Sequence, residues 1–268
     1  GNGDHEIEDI FFPVMRRSVL LRGERTGGYL SSRSHGVNDL GSIELNVARF
    51  CNGRNTVAAV AACIAQAEKW PKATALEATW NVLRRFQQIE ALDWLLEPAA
   101  DPYSPDIPMP SEQSEALLGR ALSSPLSVLW DITYACNLKC THCLTGSGKP
   151  LPDELSSQEA FKVLDQLQEA KVFSITFCGG EPLMSPYLFD LIEKATRGGM
   201  DVNLDTNGLL VNTERAKRLA DAGVNAVQVS IDGCEETHDH FRGKKGSFKA
   251  ALAAVRTFRS LGFSVSIS

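Results

Sequence analysis

No stretch of this sequence stays apolar for long. The longest uninterrupted apolar run, residues 57–65, is under half of the roughly 20 residues a spanning helix needs, so no transmembrane segment is expected. Basic charge is also short: Lys and Arg total 27 against 33 Asp and Glu, a net charge of −6. Nucleic-acid binding needs a basic face to displace counterions, so that class of partner is disfavoured. The first residues, from Gly1 to Glu6, show no basic region followed by an apolar stretch, the pattern of an export signal. They also lack an initiating Met, so this end is expected to be processed or engineered, and the protein cytoplasmic. Cysteine is present in an odd number, seven, with three packed into eight residues. Without an export signal, that favours a metal site over a disulfide framework. The hydrophobic fraction of 43% across 268 residues suffices for two modest domains.

Proline marks the division. Pro98, Pro102, Pro105, Pro108 and Pro110 follow in close succession, and proline both fixes φ and lacks an amide donor. The expected organisation is a domain over 1–97, a Pro-rich linker over 98–124 and a second domain over 125–268. In the first, strands over 17–22 and 28–32 flank a Gly-containing turn and predict a hairpin. Helices are expected over 43–51, over 57–67 behind a Thr56 cap, and over about 74–96. Short strands with three helices suggest a small winged-helix-like α+β domain.

The second domain alternates strand and helix. Strands are expected over 126–133, 172–178, 201–206, 224–232 and 263–268. Between them lie a helix opened by the capping box of Ser156 and Glu159, one begun at Ser185-Pro186, one over 213–222 and one over about 247–261. Repeated strand–helix units imply a parallel sheet, open or closed into a barrel. Phe173, Ile175 and Phe177 alternate with Ser174, Thr176 and Cys178, and Val227, Val229 and Ile231 with Gln228, Ser230 and Asp232. A sheet covered evenly on both faces has near-continuous apolar strands. One polar face near the strand ends, where α/β barrels carry their ligands, therefore places Thr133, Cys178, Ser230 and Asp232 in a lumen.

The chemistry-bearing segment is Cys136-Asn-Leu-Lys-Cys140-Thr-His-Cys143. Thiolates suit zinc and iron–sulfur clusters. Three of them can wrap a [4Fe–4S] cube while leaving one iron open; a zinc site completed by a distant ligand is the alternative. After the second strand comes Cys178-Gly179-Gly180-Glu181-Pro182, whose glycines allow close approach to the backbone. Cys51 and Cys63 fall in helical patterns and are expected to be small core residues. Cys234 is an incidental loop thiol, and His5 and His35 are surface residues.

These two motifs together make residues 125–268 resemble the radical SAM superfamily: CxxxCxxC with an aromatic residue, here His142, before the last cysteine, then a complete Gly-Gly-Glu-Pro. Asn207 in Thr-Asn-Gly, Ser230-Ile-Asp232-Gly and the stretch from His238 to Gly243 fit the same pattern, the last being similar to the peptide-modifying branch. The resemblance implies a [4Fe–4S] cluster on Cys136, Cys140 and Cys143, with its open iron on the amino and carboxylate groups of S-adenosylmethionine (SAM). Gly179, Gly180 and Glu181 would hold the methionine amino group, with Ser230 and Asp232 near the ribose, Arg242 near the carboxylate, and His142 and Asn207 in the same cofactor shell. Cleavage of SAM would give a 5′-deoxyadenosyl radical that abstracts a substrate hydrogen. No residue is assigned to the substrate step.

The first domain resembles peptide-recognition domains of ribosomal peptide maturation, such as the small chaperone of pyrroloquinoline quinone biosynthesis. The match runs through Val19-Leu-Leu-Arg22, Gly28-Tyr-Leu30, Ile43-Glu-Leu-Asn46, Asn52-Gly53 and Thr56-Val57. It implies a precursor-peptide partner whose leader adds a strand to an edge between Gly28 and Ser32. An electron donor such as flavodoxin or ferredoxin follows from the chemistry. The fold class is thus α/β, a partial (β/α) radical SAM barrel behind a winged-helix-like domain. The family's core has six strand–helix units; this chain supplies four and the start of a fifth, and is expected to be part of a longer protein. Alternatives are a radical SAM enzyme for a small molecule, or a non-catalytic peptide-binding or zinc-stabilised regulator.

Overall fold

In the computed structural model the chain divides into two units, Gly1–Ser123 and Ser124–Ser268. Residues 11–17, 19–24, 27–32, 34–103, 105, 107 and 122–268 are described; the expectations for His5 and for linker residues 108–121 lie outside them. No helix among the described residues is long and apolar enough to cross a membrane.

In the first unit β1 (Phe12–Met15) pairs antiparallel with β5 (Leu92–Leu95). Strands β2 (Leu20–Glu24), β3 (Gly27–Ser32) and β4 (Gly36–Leu40) form an antiparallel sheet in the order β2-β3-β4. Among the described residues three helices accompany these strands: α1 (Ser42–Phe50), α2 (Val57–Glu68) and α3 (Lys72–Gln88). Thr56 caps α2 as expected, its hydroxyl accepting from Ala59 N at 3.2 Å. Leu30, Val60, Ile64, Leu83 and Phe86 are fully buried in one core, each large side chain contributing roughly 1.5–3 kcal/mol relative to exposure.

Three expectations for this unit need correction. The helix expected to reach residue 96 stops at Gln88, because Glu90 turns left-handed (φ 53°) and Ala91 N bonds back to Phe86 O; Leu92–Leu95 then runs as a strand. The strand between Gly28 and Ser32 is central, paired on both sides, so its backbone has no free edge for a peptide. Among the described residues the free edges belong to β2 and β4. Cys51 is fully buried, but Cys63 is only half-buried. The start of the Pro-rich segment lies against this unit: Ala99 N bonds to Gly53 O, Tyr103 N to Asn52 O, and Arg54 donates to the Ala99 and Ala100 carbonyls.

The second unit is a five-stranded parallel sheet of β6 (Ser127–Thr133), β7 (Ser174–Gly179), β8 (Asp201–Thr206), β9 (Ala226–Val229) and β10 (Ser264–Ile267), side by side in chain order. The connecting helices are α4 (Ser157–Glu169), α5 (Leu188–Arg197), α6 (Thr213–Asp221), α7 (Glu235–Arg242) and α8 (Ser247–Ser260). The Ser156–Glu159 capping box is present. Ile175, Phe177, Val202, Leu204, Val227 and Val229 face the helices and are buried with Leu164, Leu191, Leu219 and Phe258. Cys178 and Gln228 face a cavity at the strand ends, as the alternation implied, and Asp205 of β8 faces it too. Thr133 does not: the β6–β7 register shifts between Asp131 and Thr133, and the Thr133 side chain is buried, donating to Glu154 at 3.0 Å.

Candidate functional site

The cysteine loop leaves β6 and is pinned at both ends. Gly148 N bonds to Tyr134 O at 2.9 Å and Cys136 N to Gly148 O at 3.2 Å. Burial pushes the Glu154 carboxyl up, but it accepts from Tyr134 N, Leu151 N and the Thr133 hydroxyl, and these bonds together outweigh burial and hold it below the usual carboxylate range. Leu138 is buried between the first two cysteines, anchoring the loop by an apolar plug. Thr141 N bonds to Phe241 O at 2.8 Å, so the end of α7 braces the loop from outside.

The three thiols are free and line one cavity of about 420 Å³, within the range of small-molecule sites. Burial pushes the Cys136 thiol up, with Glu181, Cys140 and Cys143 adding to it. The Thr145 hydroxyl and nearby amides draw the Cys143 thiol down. A cube takes each thiolate on a different iron. Three soft donors around an open cavity fit a cluster.

Facing the thiols are the residues expected from the motifs, with two exceptions. Cys136, Cys140, His142, Cys143, Gly179, Gly180, Asn207, Ser230 and Arg242 all line the cavity. Glu181 does not: it is wholly buried, and its carboxylate accepts from Leu183 N, the Thr206 hydroxyl and Asn207 N. Burial pushes that carboxyl up to about 6, the hydrogen bonds opposing it. Asp232 also stands behind the cavity wall. It takes a bidentate pair from Arg242 at 2.6 and 3.1 Å and lies 3.5 Å from His142 Nε2. Its amide donates to Nδ1 of the buried His238 at 3.1 Å. Both carboxylates therefore set the positions of Asn207, Arg242 and His142, which face the cavity.

The glycines of the turn serve the backbone first. A Cβ on Gly180 would stand 2.3 Å from Ala135 O, and one on Gly179 2.7 Å from Thr133 O. The turn thus lies on the stem of the cysteine loop, bonded through Gly180 N to Thr133 O and Glu181 N to Ala135 O, both at 2.8 Å. Asn207 ties a third strand end to the loop by donating to Asn137 Oδ1 at 2.8 Å.

Several cavity residues carried no motif. Asp205 and Gln228 are register partners on β8 and β9 and line the floor; only their place in the strand alternation could have found them. Burial raises the Asp205 carboxyl. Cys178 lines the cavity too, and its thiol donates to Asp131 at 3.2 Å. Burial and that carboxylate push the thiol up to about 12, so it stays protonated at neutral pH. Cys234 is exposed, at the start of α7. His35 is exposed, as expected.

Residues 130–268 match the family described as the radical SAM superfamily. Over 143 residues the chain is 41% identical to mycofactocin maturase MftC of Mycobacterium ulcerans (strain Agy99), covering 53% of this chain and 38% of that protein. It is 37% identical over 148 residues to the AdoMet-dependent heme synthase of Methanosarcina barkeri (strain Fusaro / DSM 804), 54% of this chain and 42% of that one. The sporulation killing factor maturation protein SkfB of Bacillus subtilis (strain 168) is 39% identical over 132 residues, 49% of this chain and 32% of SkfB. The match thus spans under half the length of each of these relatives. In fold, the chain is similar to Streptococcus suis SuiB, solved bound to its precursor peptide SuiA, with a TM-score of 0.65 at 17% identity over 95% of this chain and 56% of SuiB.

Proposed function

The chain belongs to the radical SAM superfamily, and from that premise we propose that it is part of a maturase that modifies a ribosomally made precursor peptide. The superfamily works with SAM and a [4Fe–4S] cluster. In this reading Cys136, Cys140 and Cys143 hold the cluster. When bound, the cluster supplies the electron that splits SAM to methionine and a 5′-deoxyadenosyl radical. The chain's own residues orient and enclose. The Gly179-Gly180 backbone, Asn207, Ser230 and Arg242 meet SAM, and Glu181 and Asp232 fix Asn207 and Arg242 from behind. An external one-electron donor such as flavodoxin or ferredoxin feeds the site.

The observation that carries the cofactor reading is the cavity itself, with three free thiols opposite the polar ends of the parallel strands. Anaerobic reconstitution should load about four irons per chain. Cys140→Ala should lose them; one tight zinc and no absorbance change on reduction would refute the assignment.

The peptide reading draws support from the names of MftC and SkfB and from the antiparallel sheet β2-β3-β4 of the first unit. The similarity to a heme synthase favours a small-molecule substrate instead; the sheet of the first unit, which a peptide strand could extend, supports the peptide. A leader would add its strand along β4, displacing Arg85 of α3, which donates to Asp39 O at 2.9 Å. Successive amides of an antiparallel strand point to opposite edges, so one of Val37→Pro and Asn38→Pro removes an outward amide and the other a ladder amide. One variant should lose peptide binding while keeping a native circular dichroism spectrum. If neither does, or if no candidate leader binds the wild-type chain, the peptide reading fails.

A further inference from the structure

We propose that the surface over the cysteine loop, formed by Leu144 and Phe241 within a fringe of Lys139, Lys244 and Lys245, is the docking face for an acidic one-electron carrier protein. The proposal rests on the cluster reading above and adds where the electron enters. One electron leaves the reduced carrier and enters the cluster; no bond forms or breaks.

Two chain segments make this surface. The cysteine loop contributes Lys139 and Leu144, and the end of α7 with its following turn contributes Phe241, Lys244 and Lys245. They are held together by the Thr141 N–Phe241 O bond and by the Phe241 ring set edge-on to His142 at 5.4 Å. Gly243 lies so close that a Cβ there would be 2.8 Å from Lys139 O. Leu144, directly after the third cysteine, is 100% exposed, and Phe241 is 39% exposed. Leu144 stands at the rim of the thiol cavity, which it also lines, so a partner seated on it would touch the redox loop itself.

Charge selects the partner. The chain carries a net charge of −6, yet between Asn137 and Lys149, and again between His240 and Lys249, no acidic residue occurs. Lys139, Lys244 and Lys245 are exposed. Of the nearby carboxylates in sequence, Asp232 takes Arg242, Asp239 caps the first turn of α8 and Glu235 pairs with Lys249; Glu236 is exposed at the opposite end of α7 from Lys244 and Lys245. A local positive face with an apolar centre on an acidic protein steers an acidic partner and leaves an apolar contact for close approach. The thiols lie just inside it, as shown by Arg242 Nη1 at 3.9 Å from Cys140 Sγ.

The test uses a purified flavodoxin as probe and the Lys244→Glu/Lys245→Glu pair. Binding to the chain is followed by calorimetry, which needs neither turnover nor cluster. Reduction of the reconstituted chain is followed by absorbance, with flavodoxin and separately with dithionite. The double reversal should weaken binding and slow flavodoxin-driven reduction by about 10-fold or more, the Lys244→Ala/Lys245→Ala pair by less, with dithionite reduction unchanged in both. Wild-type binding should fall steeply with salt. Wild-type affinity and reduction rate in both pairs, or binding indifferent to salt, would overturn the proposal. Failure of the cluster reading is seen separately, as absent iron in the wild-type chain.

Discussion

Replacing Gly180 by alanine tests how the site is built. The new Cβ would stand 2.3 Å from Ala135 O and 2.8 Å from both Ala135 C and Tyr134 O, all backbone atoms. Comfortable contact needs roughly 3.5 Å, so the stem of the cysteine loop must retreat by about 1 Å. Forced overpacking of this kind costs about 1–3 kcal/mol. At roughly 2–4 °C per kcal/mol for a chain of this size, the melting temperature should drop by about 2–12 °C. Ala135 precedes Cys136, so iron retained after reconstitution should fall as well. Gly148→Ala is the matched control: it lies on the same stem, and a Cβ there meets nothing within 4 Å. Differential scanning calorimetry and iron analysis of both variants give the answer. If Gly180→Ala melts and loads iron like the wild type but binds SAM poorly, the glycine exists for the ligand and the packing argument is wrong.

Three further outcomes follow from titratable groups. Glu181, raised from 4.5 to about 6 by burial, holds its proton more tightly folded than unfolded. Stability should therefore fall by about 1 kcal/mol as pH rises from 4.5 to 6 and by about 2 kcal/mol once pH is well above 6, and urea titrations should show that slope flattened in Glu181→Gln. Asp239 is held at about 2 by the Phe248 and Gly246 amides, with the Ser247 hydroxyl; its contribution is complete above 3.8 and lost as pH falls through 2. Thermal melts between pH 4 and pH 2 should drop more steeply in the wild type than in Asp239→Asn. Cys234, exposed and lowered by Thr237, should be alkylated by iodoacetamide at pH 8 well before Cys178, whose thiol is pushed up to about 12; mass spectrometry showing the reverse order would contradict the Asp131 pairing.

The cysteines and the Gly-Gly turn were legible because their chemistry needs fixed residue types within one loop. The parallel strands were legible because each carries an apolar face and a polar one, as in Phe177 beside Cys178. What could not be read depends on distant partners. Ile89, Leu92 and Leu96 continue the helical spacing of α3, and only the left-handed turn at Glu90 converts them into a strand. β4, with Asn38 and Asp39, has a composition poor for a strand; without it β3 looked like an edge. Glu181 and Asp232 sit in the motifs but point into the protein, a direction set by Thr206, Asn207 and Arg242, 25, 26 and 10 residues away.

The brace between Thr141 and Phe241 spans 100 residues of sequence, and the approach of Arg242 to Cys140 spans 102. During synthesis at about 5–20 residues per second, the cysteine loop leaves the ribosome roughly 5–20 s before the helix end that braces it. For that interval three thiols stand without their outer wall, open to oxidation and to stray metal ions. Oxygen exposure during expression should therefore damage the loop most while that stretch is still being made.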